Sequence, residues 1–450
     1  MHVSVSAGTI RRGTNLRVRW AAMPHDRVVI TGAGVVCALA DSPLSLWNAL
    51  IAGGHGIRPI EGFDARGFDC AFAARVHRRH PDDLGIEPRD TRIMNTHSSM
   101  LMKAVRDAFA ASGLDASPVP RESIAFFAGM GMVDYRVEDL LPAVLKSLDT
   151  RGALDYSVFY SEGYRDIHPL WPLSMLNNIS FCQVAIDLDI QGENTVLSPH
   201  ADSGAQAVSE AMKCVEDRKC TAALAAGVSE TITPLSLARG LLSGILNTSA
   251  GAGEDCVKPF DVNRKGTVLG EGCGVVALEL SSTAEKRGIV PLAVMSGYGA
   301  AFGPETGLPG PSVRALVASM KSALARAEIG PSDIDLIISH GEGTLGGDRN
   351  EIEAIQQLFS ESLGRLKVFS SKAAVGHLLA AAPVVDLVLG ISILTSGLIP
   401  MTLHTRTPDP SVRFTLVTGE PMRADVGRIL INCQSSEGHA ASLVVEGISR

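Results

Sequence analysis

Short apolar segments that fit β-strands alternate with longer segments that fit α-helices along almost the whole chain, which restricts the possible folds strongly. Alternation of this kind predicts parallel-rich sheets covered by helices. Ser42 and Pro43 fit the N-cap and first residue of an early helix. In the first half the pattern predicts strands at 27–34, 123–129, 195–198, 222–227 and 273–280, and helices at 43–52, 98–112 and about 203–217.

The second half repeats the same plan. No Pro/Ser-rich linker separates the halves, which favours one duplicated α/β domain over two independent ones. We expect an N-terminal half at 26–285 and a C-terminal half at 286–450. Residues 1–25 are expected to be a disordered or mis-assigned extension, with Met23 as an alternative start. The predicted elements are strands at 291–299, 334–339, 368–370, 428–432 and 441–446, the last two as a hairpin, and helices at 312–327 and 374–396.

The composition is that of an ordinary globular protein, with 450 residues, 46% hydrophobic and 20% charged. A net charge of −8 argues against a nucleic-acid partner. The eight cysteines are scattered without a CxxC pair, so we expect no metal site and reduced thiols in the cytoplasm. The longest apolar stretch, 383–400, contains Asp386 and is interpreted as a buried helix rather than a membrane span.

Two further segments have alternative interpretations. Gly32 and Gly34 follow a strand, but no third glycine or downstream acidic partner completes a dinucleotide motif. We therefore interpret them as a tight strand-to-helix turn. Residues 130–175 are rich in aromatics and lack a regular pattern, which favours a position at a subunit interface or over a pocket.

Four motifs occur in order along the chain. They are GENTVLSPHADSG at 192–204, KPFDVNRKGTVLGEG at 258–272, HGEGTLGGDRNEIEA from 340 and SSKAAVGHLLAAA from 370. In residues, order and spacing the chain resembles the β-ketoacyl-acyl-carrier-protein synthases, of the ketosynthase II-like type in the thiolase superfamily. This resemblance implies a duplicated, five-layered α/β/α/β/α fold, a homodimer or heterodimer, and acyl-carrier protein as partner. No cofactor is implied beyond the carrier's phosphopantetheine arm.

The resemblance places Ala201 where the family carries its nucleophilic cysteine. A cysteine at a helix N-terminus is activated by the helix dipole and accepts the acyl group, whereas alanine cannot be acylated. Ser203 is a poor substitute, because two helix positions turn it about 200° away. Asp202 would add negative charge beside a developing enolate.

The resemblance assigns decarboxylation to two histidines that the chain retains, His340 and His377. Two neutral imidazoles can donate hydrogen bonds to a thioester carbonyl and stabilise the enolate without a covalent nucleophile. Lys372 precedes the second histidine as a buried charge that needs a partner. We expect Glu351 to be that partner, in an ion pair that orients the histidines.

The C-terminal loop departs from the family pattern. The resemblance implies a glycine-rich gate with an oxyanion amide, but the chain has NCQSSEGHA from residue 432, with Ser435, Ser436 and Gly438 at the gate. Ser436 replaces the gating aromatic, so control of substrate access is expected to differ. His200, next to the nucleophile turn, is either a third site histidine or a structural filler.

Three interpretations of function follow. The first is a decarboxylase of malonyl-type carrier-protein thioesters that does not condense. The second is a non-catalytic subunit similar to a chain-length factor, paired with an active ketosynthase. The third is an ordinary condensing enzyme in which Ala201 is an engineered Cys→Ala change. The retained histidines favour the first interpretation. The sequence fits a role in fatty acid synthesis and a role in polyketide synthesis equally.

Overall fold

The computed structural model describes residues 26–76, 94–134, 137–197, 200–249 and 252–448. The predicted extension at 1–25 lies outside the described residues. Strands and helices alternate through both halves, as the sequence pattern predicts. The strands are β1 Val28–Cys37, β2 Arg58–Pro59, β3 Phe72–Ala73, β4 Ile124–Met130, β5 Asn194–Leu197, β6 Ala222–Val228, β7 Gly272–Leu280, β8 Ala293–Phe302, β9 Leu336–Ile338, β10 Lys367–Phe369, β11 Leu398–Ile399, β12 Thr415–Leu416, β13 Met422–Arg423, β14 Arg428–Gln434 and β15 His439–Glu446.

The helices begin where capping residues allow. Ser42 caps the first one in a capping box with Pro43 at the first position, as predicted. Asn95 caps the second, which therefore starts slightly earlier than the sequence suggests. The helices are α1 Pro43–Ile51, α2 Thr96–Ala111, α3 Val137–Lys146, α4 Tyr156–Ser161, α5 Trp171–Ser174, α6 Asn177–Asp187, α7 Ser203–Glu216, α8 Pro234–Leu242, α9 Ser281–Arg287, α10 Val313–Arg326, α11 Leu345–Leu358, α12 Lys372–Val375 and α13 Ala382–Ser396.

The sheet pairing shows the duplication. One half runs in the order β5-β4-β6-β7-β1 and the other in the order β10-β9-β14-β15-β8. In each half the first three neighbours pair in parallel and the last two pairings are antiparallel. The halves meet where Val29 and Ile30 of β1 pair with Val294 and Ala293 of β8. The two repeats thus share one strand order.

Helices lie on both sides of each half-sheet. Helices α7 and α13 contact each other and strands of the first half, and α13 also contacts β14 of the second. Helices α2 and α6 cover the outer face of the first half, while α10 and α11 cover that of the second. The predicted five-layered α/β/α/β/α fold is confirmed, with the N-terminus of α7 in its central layer.

The apolar C-terminal helix belongs to this central layer. The stretch Leu379–Ser396 is long and apolar enough to cross a membrane, but 72% of it is buried inside the protein. This confirms the interpretation as a buried helix. The predicted single helix from residue 374 is in fact divided into α12 and α13, because Gly376 adopts a positive φ of 72° between them.

Gly32 and Gly34 correct one expectation. They do not form a strand-to-helix turn, because both lie within β1. A Cβ atom on Gly32 would lie 2.2 Å from the carbonyl oxygen of Ala108, and one on Gly34 would lie 2.0 Å from that of Ala104. The two glycines therefore allow α2 to pack directly on the strand.

The aromatic-rich segment forms short helices rather than an irregular loop. Leu145 of α3 is 58% exposed, and Tyr156 and Tyr160 of α4 are 66% and 72% exposed. Large apolar groups on a protein surface are typical of interfaces. The predicted position at a subunit interface or over a pocket stays a prediction.

Candidate active site

Ala201 lies in the turn that leads into α7, and it is 4% exposed. Gly129 of β4 allows the start of α7 to pack closely on the strand, since a Cβ atom on Gly129 would lie 2.3 Å from the backbone nitrogen of Gly204. The Cys433 thiol donates to the Ala201 carbonyl oxygen over 3.1 Å. The end of β14 therefore packs against the predicted nucleophile position at a helix N-terminus.

His340 and His377 come together in the interior. Their ring centroids are 4.9 Å apart with the ring planes at 83°, and each residue is 2% exposed. Nδ1 of His340 accepts a hydrogen bond from the backbone N–H of Gln434 over 3.3 Å. Nδ1 of His377 accepts one from the N–H of Leu379 over 3.3 Å. Because Nδ1 accepts a backbone hydrogen bond in each ring, we assign the N–H to Nε2 in both.

Strand β14 connects the histidine pair to the nucleophile turn. Its consecutive residues Cys433 and Gln434 contact Ala201 and His340, respectively. The structure thus brings together three of the predicted site residues, Ala201, His340 and His377, around the end of one strand.

Glu342 is a site residue that the sequence analysis missed. Its Oε2 atom lies 3.4 Å from Nε2 of His340 and 3.8 Å from Nε2 of His377. Its Oε1 atom accepts a hydrogen bond from the Thr344 hydroxyl over 2.8 Å. Both histidine N–H groups therefore face the same carboxylate oxygen.

The charge states at this site follow from burial and contact. Burial raises the pKa of Glu342, but the hydrogen bond from His340 and the nearby imidazoles outweigh it and lower that pKa to about 2. Burial, together with the neighbouring His340, lowers the pKa of His377 to about 3. At neutral pH, Glu342 is therefore an anion and His377 is neutral.

The same three side chains have the composition of a metal site. Their ligand atoms all lie within 4.8 Å of one another, and all three residues are buried. A metal-bound histidine usually donates its other ring N–H to an acceptor. Here both Nδ1 atoms face backbone N–H donors, so Nε2 carries the proton and offers no lone pair to a metal. The donor set does not fit a cation, and we keep the expectation of no metal.

The partner of Lys372 differs from the prediction. Its Nζ atom lies 2.8 Å from Oδ2 of Asp386 in α13, not beside Glu351. The other oxygen of Asp386 accepts a hydrogen bond from the Ser371 hydroxyl over 2.6 Å. The lysine and aspartate are both about 1% exposed. The predicted ion pair with Glu351 is wrong, because the turn into α12 directs the lysine towards the central helix.

Glu351 instead holds the loop that carries His340. Its carboxylate accepts hydrogen bonds from the backbone N–H of His340 over 2.9 Å and of Gly341 over 2.8 Å. It also accepts one from the Asn432 side-chain amide over 3.1 Å. Glu351 therefore positions the first histidine through its backbone.

The predicted gate residues form the turn between β14 and β15. Ser435 is buried, and its backbone N–H donates to the carbonyl oxygen of His439 over 3.0 Å. Ser436 donates from its hydroxyl to Glu437 over 2.8 Å, and Gly438 adopts a φ of 103°. A cavity of about 510 Å³ borders Ser436 and Glu437. The gating and oxyanion roles assigned to this loop stay predictions.

His200 lies at the outer side of this turn. Its ring stacks on that of His439 at 4.6 Å, and its Nδ1 atom lies 3.4 Å from a Glu437 oxygen. The His200 side chain is 36% exposed. These contacts connect His200 to the gate turn rather than to the His340–His377 pair. A role as a third site histidine stays a prediction.

Acid should destabilise the fold through this site. Below about pH 6.5 the unfolded chain protonates His377 while the folded chain does not until about pH 3, so stability falls as pH falls. Glu342 adds to the loss between its ordinary pKa of 4.5 and its folded pKa of about 2. We expect His377 to contribute a loss of about 2 kcal/mol between pH 6.5 and 4.5, measured by urea unfolding. A His377→Asn variant with an unchanged pH slope would contradict this.

The duplicated fold and its buried histidine pair define a protein of the ketosynthase-like class. The β-ketoacyl synthase N-terminal domain family matches residues 25–284, and the β-ketoacyl synthase C-terminal domain family matches residues 292–406. The chain therefore belongs to the β-ketoacyl synthase family, the ketosynthase-like proteins of fatty acid and polyketide synthesis.

Among curated proteins, the chain is similar to 3-oxoacyl-[acyl-carrier-protein] synthase 2 of Coxiella burnetii. The two are 28% identical over 429 residues, which are 95% of this chain and 100% of that protein. Among solved structures, a β-ketoacyl synthase from Burkholderia phymatum STM815 has a TM-score of 0.82 and 24% identity, covering 94% of this chain and 100% of its own. The ishigamide ketosynthase/chain length factor has a TM-score of 0.81 and 24% identity, covering 94% and 99%.

Proposed function

We propose that this chain is a non-condensing β-ketoacyl synthase family member that acts as the partner subunit of an active ketosynthase. The observation that supports it is Ala201 at the N-terminus of α7, where a methyl group takes the place predicted for the nucleophile. The neighbouring Cys433 is no substitute. Its burial raises the pKa of its thiol well above the ordinary value, and the thiol donates to a carbonyl oxygen.

The proposed carrier is acyl-carrier protein, the carrier named for the Coxiella burnetii relative. Its phosphopantetheine arm would bring the acyl chain, with no further cofactor, in the cytoplasm. In a heterodimer with a condensing subunit, this chain would help to shape the acyl pocket although it lacks a nucleophile. A homodimer is the alternative assembly.

Co-expression with an active ketosynthase of the same organism tests the assembly. We expect the two proteins to co-purify as a heterodimer, and substitutions in this chain to alter product length. Matched expression of this chain alone is the control. Isolation of homodimers only, with unchanged products, would reject the partner role.

The second candidate is decarboxylation of a malonyl-type thioester without condensation. The adjacent His340 and His377 favour it, because their Nε2–H groups are the donors that stabilise an enolate. Release of carbon dioxide from malonyl-carrier protein by the unaltered chain tests it. No release above the level without protein would reject this candidate.

Restoring a cysteine distinguishes natural divergence from an engineered change. We expect Ala201→Cys to remain inactive in condensation, because Asp202 is buried beside it and Glu342 lies between the histidines. Acylation of the variant is measured by intact mass, and condensation by product formation. Recovery of full condensation activity would indicate the third interpretation, an ordinary condensing enzyme with an engineered alanine.

A further inference from the structure

We propose that Glu342 is an internal anion that occupies the acceptor position shared by His340 and His377, and thereby closes this site to malonyl thioesters. The inference concerns the same site as the proposed function, and it rests on that proposal because it assumes that the chain has no nucleophile. It names the residue that prevents decarboxylation in a chain that keeps both histidines.

The geometry supports a single shared acceptor position. Nε2 of His340 and Nε2 of His377 lie 3.4 and 3.8 Å from the same Glu342 oxygen. Both tautomers are held by backbone N–H donors on the opposite ring nitrogen. A carbonyl oxygen that approached both Nε2 atoms to hydrogen-bond distance would therefore overlap Oε2 of Glu342.

Glu342 opposes the reaction through its charge as well as through its volume. Loss of carbon dioxide moves the negative charge of the malonyl carboxylate onto the thioester oxygen as an enolate. Because that oxygen would lie next to a second anion, Glu342 raises the energy of the enolate and slows the step. Even a substrate bound beside the carboxylate would react slowly.

The carboxylate is fixed in place by its loop. Thr344 donates to its other oxygen over 2.8 Å, and the Gly343 N–H donates to buried Asp348 over 3.0 Å. Glu351 binds the backbone of His340 and Gly341 on the preceding side. The loop is therefore anchored on both sides of Glu342. The retained histidines thus lie beside an internal carboxylate, with both Nε2 atoms within 4 Å of one oxygen.

The test compares the unaltered chain with Glu342→Ala, using radiolabelled malonyl-carrier protein. The bond between the α-carbon and the carboxylate breaks, carbon dioxide leaves, and water supplies the proton that gives acetyl-carrier protein. We expect Glu342→Ala to release carbon dioxide at least a hundred-fold faster than the unaltered chain. Glu342→Gln should stay slow, because its amide oxygen still fills the position. Exposed Glu353 on α11 gives the matched control, Glu353→Ala.

Sodium acetate probes the opened position independently of turnover. We expect acetate to raise the melting temperature of Glu342→Ala but not that of Glu342→Ala/His340→Ala or the unaltered chain. Glu342→Thr is a second opening variant if the alanine variant folds poorly. Equal carbon dioxide release by the unaltered and opened variants, or an opened variant that binds no acetate, would overturn the proposal. The partner role is judged separately, by heterodimer formation of the unaltered chain.

Discussion

Lys372→Ala is expected to lower the free energy of unfolding by about 3–5 kcal/mol, because it leaves the carboxylate of Asp386 buried without its cation. The lysine and aspartate are about 1% exposed, and their charged atoms are 2.8 Å apart. The Ser371 hydroxyl, the other hydrogen-bond partner of Asp386, cannot neutralise the charge. Urea unfolding followed by circular dichroism measures the loss.

The double variant Lys372→Met/Asp386→Leu is the matched control. Replacing both members of a buried ion pair with apolar groups is often neutral or stabilising, so we expect most of the lost stability to return. A double variant as unstable as Lys372→Ala would show that packing, not the unpaired charge, explains the loss.

The fold was predictable because its determinants are local and repeated. Apolar strands and capped helices recur in the same order in both halves, and the strand order β5-β4-β6-β7-β1 is matched by β10-β9-β14-β15-β8. His340 and His377 were predictable for a different reason, since each lies in a motif that resembles the family pattern.

The partner of Lys372 was not predictable by the same reasoning. Glu351 lies in a motif that also carries a histidine, which made it the natural choice. The available signal was Asp386, a charge in an otherwise apolar helix, which the sequence analysis used only to argue against a membrane span. A buried charge requires a counter-charge, and the sequence analysis gave Asp386 none.

Glu342 was not predictable from the family pattern, because its role depends on a contact with a distant residue, His377. It stands two positions after His340, within a loop of glycines that bends the chain back on itself, with positive φ at Gly341 and Gly343. Only that backbone path brings its carboxylate between two imidazoles. The presence of an acidic residue in this loop was visible, but its contact with His377 depends on tertiary structure.

Glu351→Ala is expected to cost about 4 kcal/mol of unfolding free energy, since three buried donors lose a charged acceptor. Those donors are the backbone N–H groups of His340 and Gly341 and the side-chain amide of Asn432. Glu351→Gln keeps one acceptor oxygen and should cost less, about 2 kcal/mol. Urea unfolding measures both, with exposed Glu353→Ala on the same helix as the control.

A double-mutant cycle separates this network from that of Lys372. If Glu351 acts only through the His340 loop, the losses for Glu351→Gln and Lys372→Met should add within about 0.5 kcal/mol. The pair Lys372 and Asp386, whose charged atoms are 2.8 Å apart, should instead show a coupling of about 2 kcal/mol or more. A large coupling between Glu351 and Lys372 would contradict this separation, whereas additive losses would support two independent buried networks.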